Sequence, residues 1–423
     1  MSAATNVLVR DARPGLLWLI AGCWMLQPLS TDLYLASLPH LSVYYRVSPA
    51  MVQQTLSLFV LGVASAQLIG GPLSDRFGRR PVLLAGAFIY VLASLACACA
   101  PSMPALIVAR FVQAVGCCSV GVIARSIVRD AYPTSEGAHV IARTISVLSL
   151  ALLASPIVGA YLQTHLGWRA IFMLLTALGT LLAVGALLYF DETNQCRSPD
   201  ATSPRGLARN YTALIKAPGF WAYALPGALS YASIFVFTSG GAFALIEILG
   251  VSTENFGYCS AFGVLGYVVG TLVCRRLLRR IGIARGFRAG SSLALAAGLF
   301  FATSVALGWR HWSIVVLAQF LVTFAHGINS PCAQTGAVAP FPEKAGTAAA
   351  LLGCLTMLTA FALGTLVGAS HDGTLFPLAF LSAAVGLALF ASERLLAKYR
   401  TASWHSSPPQ RNDEIRGSEK WNR

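Results

Sequence analysis

The sequence predicts an all-α integral membrane protein: twelve transmembrane helices in two six-helix bundles. Three observations predict it. The 423-residue chain is 56% hydrophobic and only 11% charged, with a mean hydropathy of +0.67, whereas a soluble domain carries about 25% charged residues. Its apolar residues gather into twelve runs of the length, about 20 residues, that a helix needs to cross the hydrocarbon. Strands of a membrane barrel would instead show about ten residues of alternating pattern. One substantial hydrophilic interruption, residues 191–217 with Asp191, Glu192, Pro199, Pro204 and Arg205, divides the runs into two sets of six.

The first six spans are expected near 14–37, 48–72, 81–100, 103–128, 138–163 and 168–190. The second six are expected near 218–247, 254–276, 286–307, 311–337, 345–368 and 374–396. This gives an N-terminal segment 1–13, a first bundle 14–190, a linking loop 191–217, a second bundle 218–396 and a tail 397–423. The tail is polar, carries Pro408 and Pro409 and is expected to be disordered. The first apolar run is too long for a secretory leader and ends in no small-residue cleavage site, so it is expected to remain as a helix.

The net charge of +14 is arranged by side rather than spread evenly. With the spans above, twenty-six of the 30 Lys and Arg fall on one side. Only Arg46, Arg169 and Arg310 fall on the other, and Arg110 lies within a span. The positive-inside rule then puts both termini in the cytoplasm and explains the charge without a nucleic-acid partner. Nine of the ten cysteines lie in or beside apolar spans, and Cys196 lies in the linking loop. None has ligand spacing with a histidine, so they read as reduced packing residues with no metal.

Polarity separates the spans into two kinds. The third, sixth, ninth and twelfth hold no charged, Asn, Gln or His residue in their interiors. The first holds Gln27 and Asp32, the fourth Arg110 and Gln113, and the tenth Gln319, Thr323, His326, Asn329, Ser330 and Gln334. Polar faces must look onto a cavity rather than lipid. Spans one, four, seven and ten are therefore expected to line a central path. Gln27, Tyr34, Tyr231, Phe235, Gln319, Thr323, His326 and Gln334 are the candidate cavity side chains. His326 has two readings, a group titrating near neutral pH or a hydrogen-bonded helix contact.

Asp32 is the only acidic side chain well inside a span. Placing a carboxylate there costs about 2.5–3.5 kcal/mol even on insertion scales, and such residues mark ion pathways. At about 1.5 Å per residue, Asp32 lies roughly 8 Å and Arg110 roughly 10 Å below the same membrane surface. Each is the other's expected partner, either in proton coupling or in an ion pair that locks two helices.

Residues 71–81, Gly-Pro-Leu-Ser-Asp-Arg-Phe-Gly-Arg-Arg-Pro, form a charged turn between runs that carry no charge. Gly71, Leu73, Ser74, Asp75, Arg76, Gly78, Arg79 and Arg80 fall in register with the loop between the second and third helices of the major facilitator superfamily, which this turn resembles. A faint echo at Gly270–Arg280 supports two parallel repeats, with Cys274 where Asp75 would align. Asp75 is expected to pair with arginines and cap a neighbouring helix, acting as a conformational latch.

Further motifs resemble the Bcr/CflA-type drug:proton antiporters of that superfamily. They are Ser30 to Pro39 in the first span, with Ala36 where a proline is usual, and Arg110-Phe-Val-Gln113-Ala-Val-Gly116 in the fourth. The fifth holds Ser155-Pro156-Ile-Val-Gly159-Ala160, in which Ser155 and Ala160 replace two glycines. The resemblance implies proton-coupled efflux of small drug-like compounds, with Asp32 binding the proton and Arg110 modulating it. It implies no cofactor beyond the proton, and a monomer is expected in the bilayer. An exporter of metabolites or a proton-coupled importer on the same fold is the alternative. A membrane sensor or enzyme is the remote one, because no nucleophile, base or metal set gathers at either face and no soluble domain is present. No Gly-x-x-x-x-Gly-Lys-Ser/Thr loop is present, so ATP is not expected to drive the cycle directly.

Overall fold

The computed structural model describes residues 14–132, 134–194 and 197–400. The N-terminal segment 1–13, Cys196 and residues 401–423 lie outside them. The described residues are helical, with no strand among them. In the first half the spans are α1 (Pro14–Asp32), α2 (Pro49–Phe77), α3 (Arg79–Ala98), α4 (Met103–Ala131), α5 (Thr134–Leu166) and α6 (Trp168–Tyr189). In the second half, α7 (Pro218–Ala242) ends in a π-helical turn, Phe243–Ile248, and the continuous helix Thr253–Ala306 follows. Gly282, at φ 76° and ψ 171°, breaks that helix into α8 (253–281) and α9 (283–306). The last spans are α10 (Trp312–Val338), α11 (Ala345–Ala369) and α12 (Phe376–Leu396).

Three segments depart from the sequence expectation. The first apolar run is not one helix: α1 stops at Asp32, a 3-10 turn covers Leu35–Ser37, and a separate helix runs Leu38–Tyr45. The linking loop contains a 12-residue helix, Pro204–Ile215, whose Tyr211 donates to the Leu68 carbonyl at 3.0 Å. The chain also stays ordered beyond Leu396, through a 3-10 turn to Arg400.

Glycines set the turns and the close crossings. Gly78 at φ 104° joins α2 to α3, and Gly282 occupies the equivalent turn between α8 and α9. With turn matched to turn, Asp75, three residues before Gly78, answers to Arg279, three before Gly282. The echo therefore runs in a different register from the one that paired Asp75 with Cys274, because the left-handed glycine rather than the run of arginines fixes where each helix ends. Elsewhere small residues let backbones meet. A side chain at Gly116 would collide with the Tyr90 backbone of α3, and one at Gly270 with the Phe324 carbonyl of α10. Membrane helices associate through such packing rather than through the hydrophobic effect.

Spans α3, α6, α9 and α12 turn apolar side chains outward, among them Phe88, Leu92, Leu181, Leu188, Leu299, Phe380 and Leu387. They are the lipid-facing supports. The two halves touch where α2 packs against α11 and α5 against α8.

At the end of α12, Glu393 is fully buried and accepts a 2.6 Å bond from Arg400 Nη1. Arg400 also donates to the Ala222 carbonyl of α7 and stacks on Tyr223 and Phe287. Removing one partner of a buried pair strands the other charge. Glu393→Ala should lower stability by about 3 kcal/mol, read as a fall in melting temperature of the detergent-solubilised protein, with Glu393→Gln losing less.

Candidate functional site

Asp32 is the last residue of α1, and the helix unwinds there because the next amides bond three residues back: Tyr34 N to Thr31 O at 3.3 Å and Ser37 N to Tyr34 O at 3.0 Å. Thr31 Oγ1 donates to Asp32 Oδ1 at 3.1 Å, and the Ser155 hydroxyl of α5 stands beside the same carboxylate. Gly159, one turn along α5, lies directly against the Leu33 carbonyl, which a methyl group there would overlap. On the far side of Asp32, Tyr231 of α7 is close enough to feel its charge. The half-buried carboxylate thus sits at the seam between the two halves.

Arg110 does not pair with Asp32. Its guanidinium is fully buried inside the first bundle, over the rings of Phe59 at 4.2 Å, Tyr34 at 4.9 Å and Phe172 at 5.7 Å. Residue counting gave the two groups a shared depth, but the break in α1 points Asp32 at the seam while Arg110 faces the bundle core. A polar chain connects them indirectly. Arg110 Nη1 donates to Gln113 Oε1 at 2.6 Å, Gln113 Nε2 to Ser94 Oγ at 2.7 Å, and Ser94 Oγ to the Tyr90 carbonyl at 2.7 Å. The Tyr90 hydroxyl meets Ser30 Oγ at 2.8 Å. Arg110 therefore holds α1 on both sides of Asp32, through Ser30 before it and the Tyr34 ring after it.

A cavity runs from the Asp75 face towards this site. Its inner chamber, about 300 Å³, is lined by Gln27, Gln67, Arg125, Tyr231, Tyr267, His326, Ser330, Gln334, Thr356 and Met357 among others. Its mouth, about 330 Å³, shares Gln67 and Arg125 and adds Gly71, Asp75, Arg129, Glu343 and Lys344. The lining comes from α1, α2, α4, α7, α8, α10 and α11, the helix of the linking loop and the turn leading into α11; α3, α6, α9 and α12 contribute none of these residues. Four of the expected cavity side chains, Gln27, Tyr231, His326 and Gln334, are there. The other four are packing residues. Tyr34 bonds Thr55 at 3.0 Å within the first bundle, and Phe235 packs on Gly364. Gln319 covers Gly263 of α8, and Thr323 donates to the Gly263 carbonyl at 2.5 Å. Helical spacing gave these residues a common side of α10 or a place on a path-lining span, but the neighbouring helix covers them before the cavity does.

His326 has the hydrogen-bonded role: its Nδ1 lies 3.0 Å from Ser230 Oγ, which also accepts from Asn329 Nδ2 at 3.2 Å. Its ring is flanked by Tyr231 and Tyr267, each 5.8 Å away. Arg125, Gln67 and Tyr267 were missed in the sequence. Arg125 was absorbed into the positive face, but Gln67, a polar residue in a charge-free run, was a signal.

At the opposite face the halves are closed. His40 Nε2 meets Thr253 Oγ1 at 2.9 Å, His165 reaches Glu254 at 3.6 Å, and Gly257 of α8 lies against the Pro156 carbonyl and Ala160 of α5. The fifth-span motif therefore has two faces, with Ser155 and Gly159 on the Asp32 break and Pro156 and Ala160 on the other half.

The 71–81 turn is a dense charge cluster. Arg79, almost fully buried, reaches Asp75 at 2.6 Å and Asp130 at 2.9 Å, with Ser74 Oγ at 2.5 Å. Arg76 donates to Thr202 at 2.6 Å and Arg80 to the Leu187 carbonyl at 3.0 Å. The helix cap is supplied by Glu192, not Asp75: its carboxylate accepts from the backbone amides of Arg79 at 2.8 Å and Arg80 at 3.2 Å, at the start of α3.

The profile of the Major Facilitator Superfamily matches residues 20–365. The chain belongs to this superfamily. It is a transporter, not an enzyme. Among its relatives, a bicyclomycin resistance protein homolog of Haemophilus influenzae is 27% identical over 84% of this chain and 89% of that one. A chloramphenicol resistance protein of Pseudomonas aeruginosa is 30% identical over 81% of each. The multidrug resistance protein MdtL of Salmonella newport is 26% identical over 78% of this chain and 82% of that one. Two solved structures share the superfamily fold. A D-xylose-proton symporter has a TM-score of 0.67 at 13% identity, covering 91% and 97% of the two chains. A bacterial homolog of the lysosomal transporter Spinster, inward-facing and unoccupied, has a TM-score of 0.66 at 18% identity, covering 93% and 98%.

Partial burial of Glu192 opposes its ionisation, but the amides of Asn194, Arg79 and Arg80 and the Arg197 guanidinium outweigh it and hold the carboxyl below its ordinary value. Its stabilisation is then complete above the ordinary glutamate range and is lost as pH falls through the lowered native value. Glu192→Gln should cost about 1 kcal/mol at neutral pH. In melting curves collected from pH 7 downward, that deficit should vanish on the acid side; a deficit unchanged by pH would argue against the cap.

Proposed function

We propose that this transporter exchanges protons moving inward for small amphipathic, drug-like compounds moving outward across the bacterial inner membrane, and that it does so as a monomer. The observation that carries the reading is Asp32: a carboxylate at a helix break, on the seam between two bundles, near Tyr231 of the cavity wall and, among the described residues, with no arginine paired to it. A group so placed takes up and releases a proton as access to the seam alternates. The drug-resistance names of the relatives support the substrate class. The bias of basic residues supports a cytoplasmic Asp75 face and cytoplasmic termini, which makes the present arrangement inward-facing.

The energetics suffice without a nucleotide. One charge crossing 100 mV is worth about 2.3 kcal/mol, which sustains a gradient of roughly 50-fold. The cavity needs no cofactor, because the proton is the coupling ion. Ser155 and Thr31 hold the carboxylate ready, and Arg110 fixes the backbone on which it sits.

Chloramphenicol added to proteoliposomes of the wild type should release protons, and Asp32→Asn should abolish at least nine-tenths of that release while binding changes less than threefold. Compound transport that proceeds equally well without a proton gradient would overturn the coupling. Uptake into the Asp75-side compartment driven by protons would reverse the direction.

A further inference from the structure

The cavity holds a cation that proton coupling does not use. Arg125 of α4 lines both the mouth and the inner chamber. Among the described residues no carboxylate pairs with it: Asp75 is engaged by Arg79, and Asp130 by Arg79 and Arg129. A charge kept inside a membrane protein without a partner marks a substrate or ion path. Arg129 and Lys344 add two more cations at the mouth against Asp75 and Glu343, so the entrance carries an excess of positive charge. Such a cleft concentrates anions.

Asp32 does not neutralise this charge. Trp24 Nε1 donates to the Gly121 carbonyl at 3.2 Å and sets α1 against α4. From that level Arg125 lies one turn towards the mouth and Asp32 eight residues the other way, about 18 Å apart along the axis. Between them the chamber presents the rings of Tyr231, Tyr267 and His326. A planar guanidinium binds a carboxylate or similar oxyanion through two parallel bonds, which an ammonium does not.

We propose that Arg125 is a substrate-recognition residue and that the compounds carried include amphipathic organic anions and zwitterions. Their oxyanion sits on the Arg125 guanidinium and their apolar body lies along the three rings. The inference rests on the transport reading above and names its substrate class.

Binding to the full chain in nanodiscs tests it, with three probes that share one apolar body: 2-naphthylacetate, 2-naphthylacetamide and 2-naphthylethylammonium. The wild type should bind the carboxylate at least tenfold more tightly than the amide and should bind the ammonium most weakly. Arg125→Gln should bring carboxylate and amide within twofold, and an unchanged melting temperature of the solubilised variant shows that it is folded. Arg125→Lys should keep part of the preference. Equal binding of carboxylate and amide by the wild type, or a preference that survives Arg125→Gln, would overturn the role of Arg125. Either result would leave drug-induced proton release through Asp32 standing, since that assay needs no anionic probe.

Discussion

The break in α1 at Asp32 is the constraint on which the rest of the first bundle depends. Backbone that leaves helical geometry at membrane depth is tolerated only where protein covers it or where it lines a cavity. The first condition holds here. Gly159 brings α5 onto the exposed Leu33 carbonyl, Thr31 turns its hydroxyl back to the Pro28 carbonyl at 2.9 Å, and Ser30 does the same to Leu26 at 2.6 Å. The remaining side, where Asp32 itself projects, faces the seam. A larger residue at Gly159 would have to push α5 away, and α5 carries the contact with α8 on its other side. The unwound turn, the Asp32 carboxylate and the junction between halves are therefore one mechanical unit.

Arg110 belongs to that unit without touching the carboxylate. A buried guanidinium with no acid beside it among the described residues is costly; here three aromatic faces and the Gln113 carbonyl offset part of that cost, while Nε and Nη2 make no hydrogen bond among the described residues. Cation–π contacts grow stronger when desolvated, so the aromatic shell is a reasonable substitute for an ion pair. An Asp32 bound to Arg110 would be held against the core of the first bundle, whereas the observed arrangement lets Arg110 fix the posture of α1 while the carboxylate faces the seam.

Much of this was legible in the sequence, and the rest was hidden for identifiable reasons. The apolar runs located the long helices of both halves, though not the break in the first, and the absence of polar side chains marked α3, α6, α9 and α12 as lipid-facing. The charge spacing of 71–81 located the turn and its arginines. What linear counting lacks is rotation about the helix axis. It set Asp32 and Arg110 at one depth but could not see the unwinding that turns one of them away, and it assigned Tyr34 and Thr323 to a cavity that neighbouring helices already fill. Contacts distant in sequence were equally invisible: Glu192 reaches α3 from beyond α6, and nothing local distinguishes it from Asp191. Arg125 illustrates a different loss, since a general rule that explained every basic residue on one face also concealed the one that points inward.

The distribution of strong and weak contacts favours motion between the halves rather than within them. The Asp75–Arg79–Asp130 cluster and the Glu192 cap lie wholly on the first half and its connection, so opening or closing the Asp75 face need not break them. The Arg400–Glu393 clasp likewise stays within the second half. By contrast, the ties that close the opposite face are an exposed His40–Thr253 bond and the exposed His165–Glu254 pair, of a kind worth about 0–1 kcal/mol. The deeper junctions are close glycine contacts, Gly257 on Pro156 and Ala160 of α5, Gly364 on Ser57 and Gly368 on Ala50 and Gln53 of α2. They hold no charge that would have to be buried or exposed as the helices slide. Each bundle is thus locked internally by polar networks and joined to the other by surfaces that separate at small cost. Asp32 sits on the joint between them, where the structure resists least.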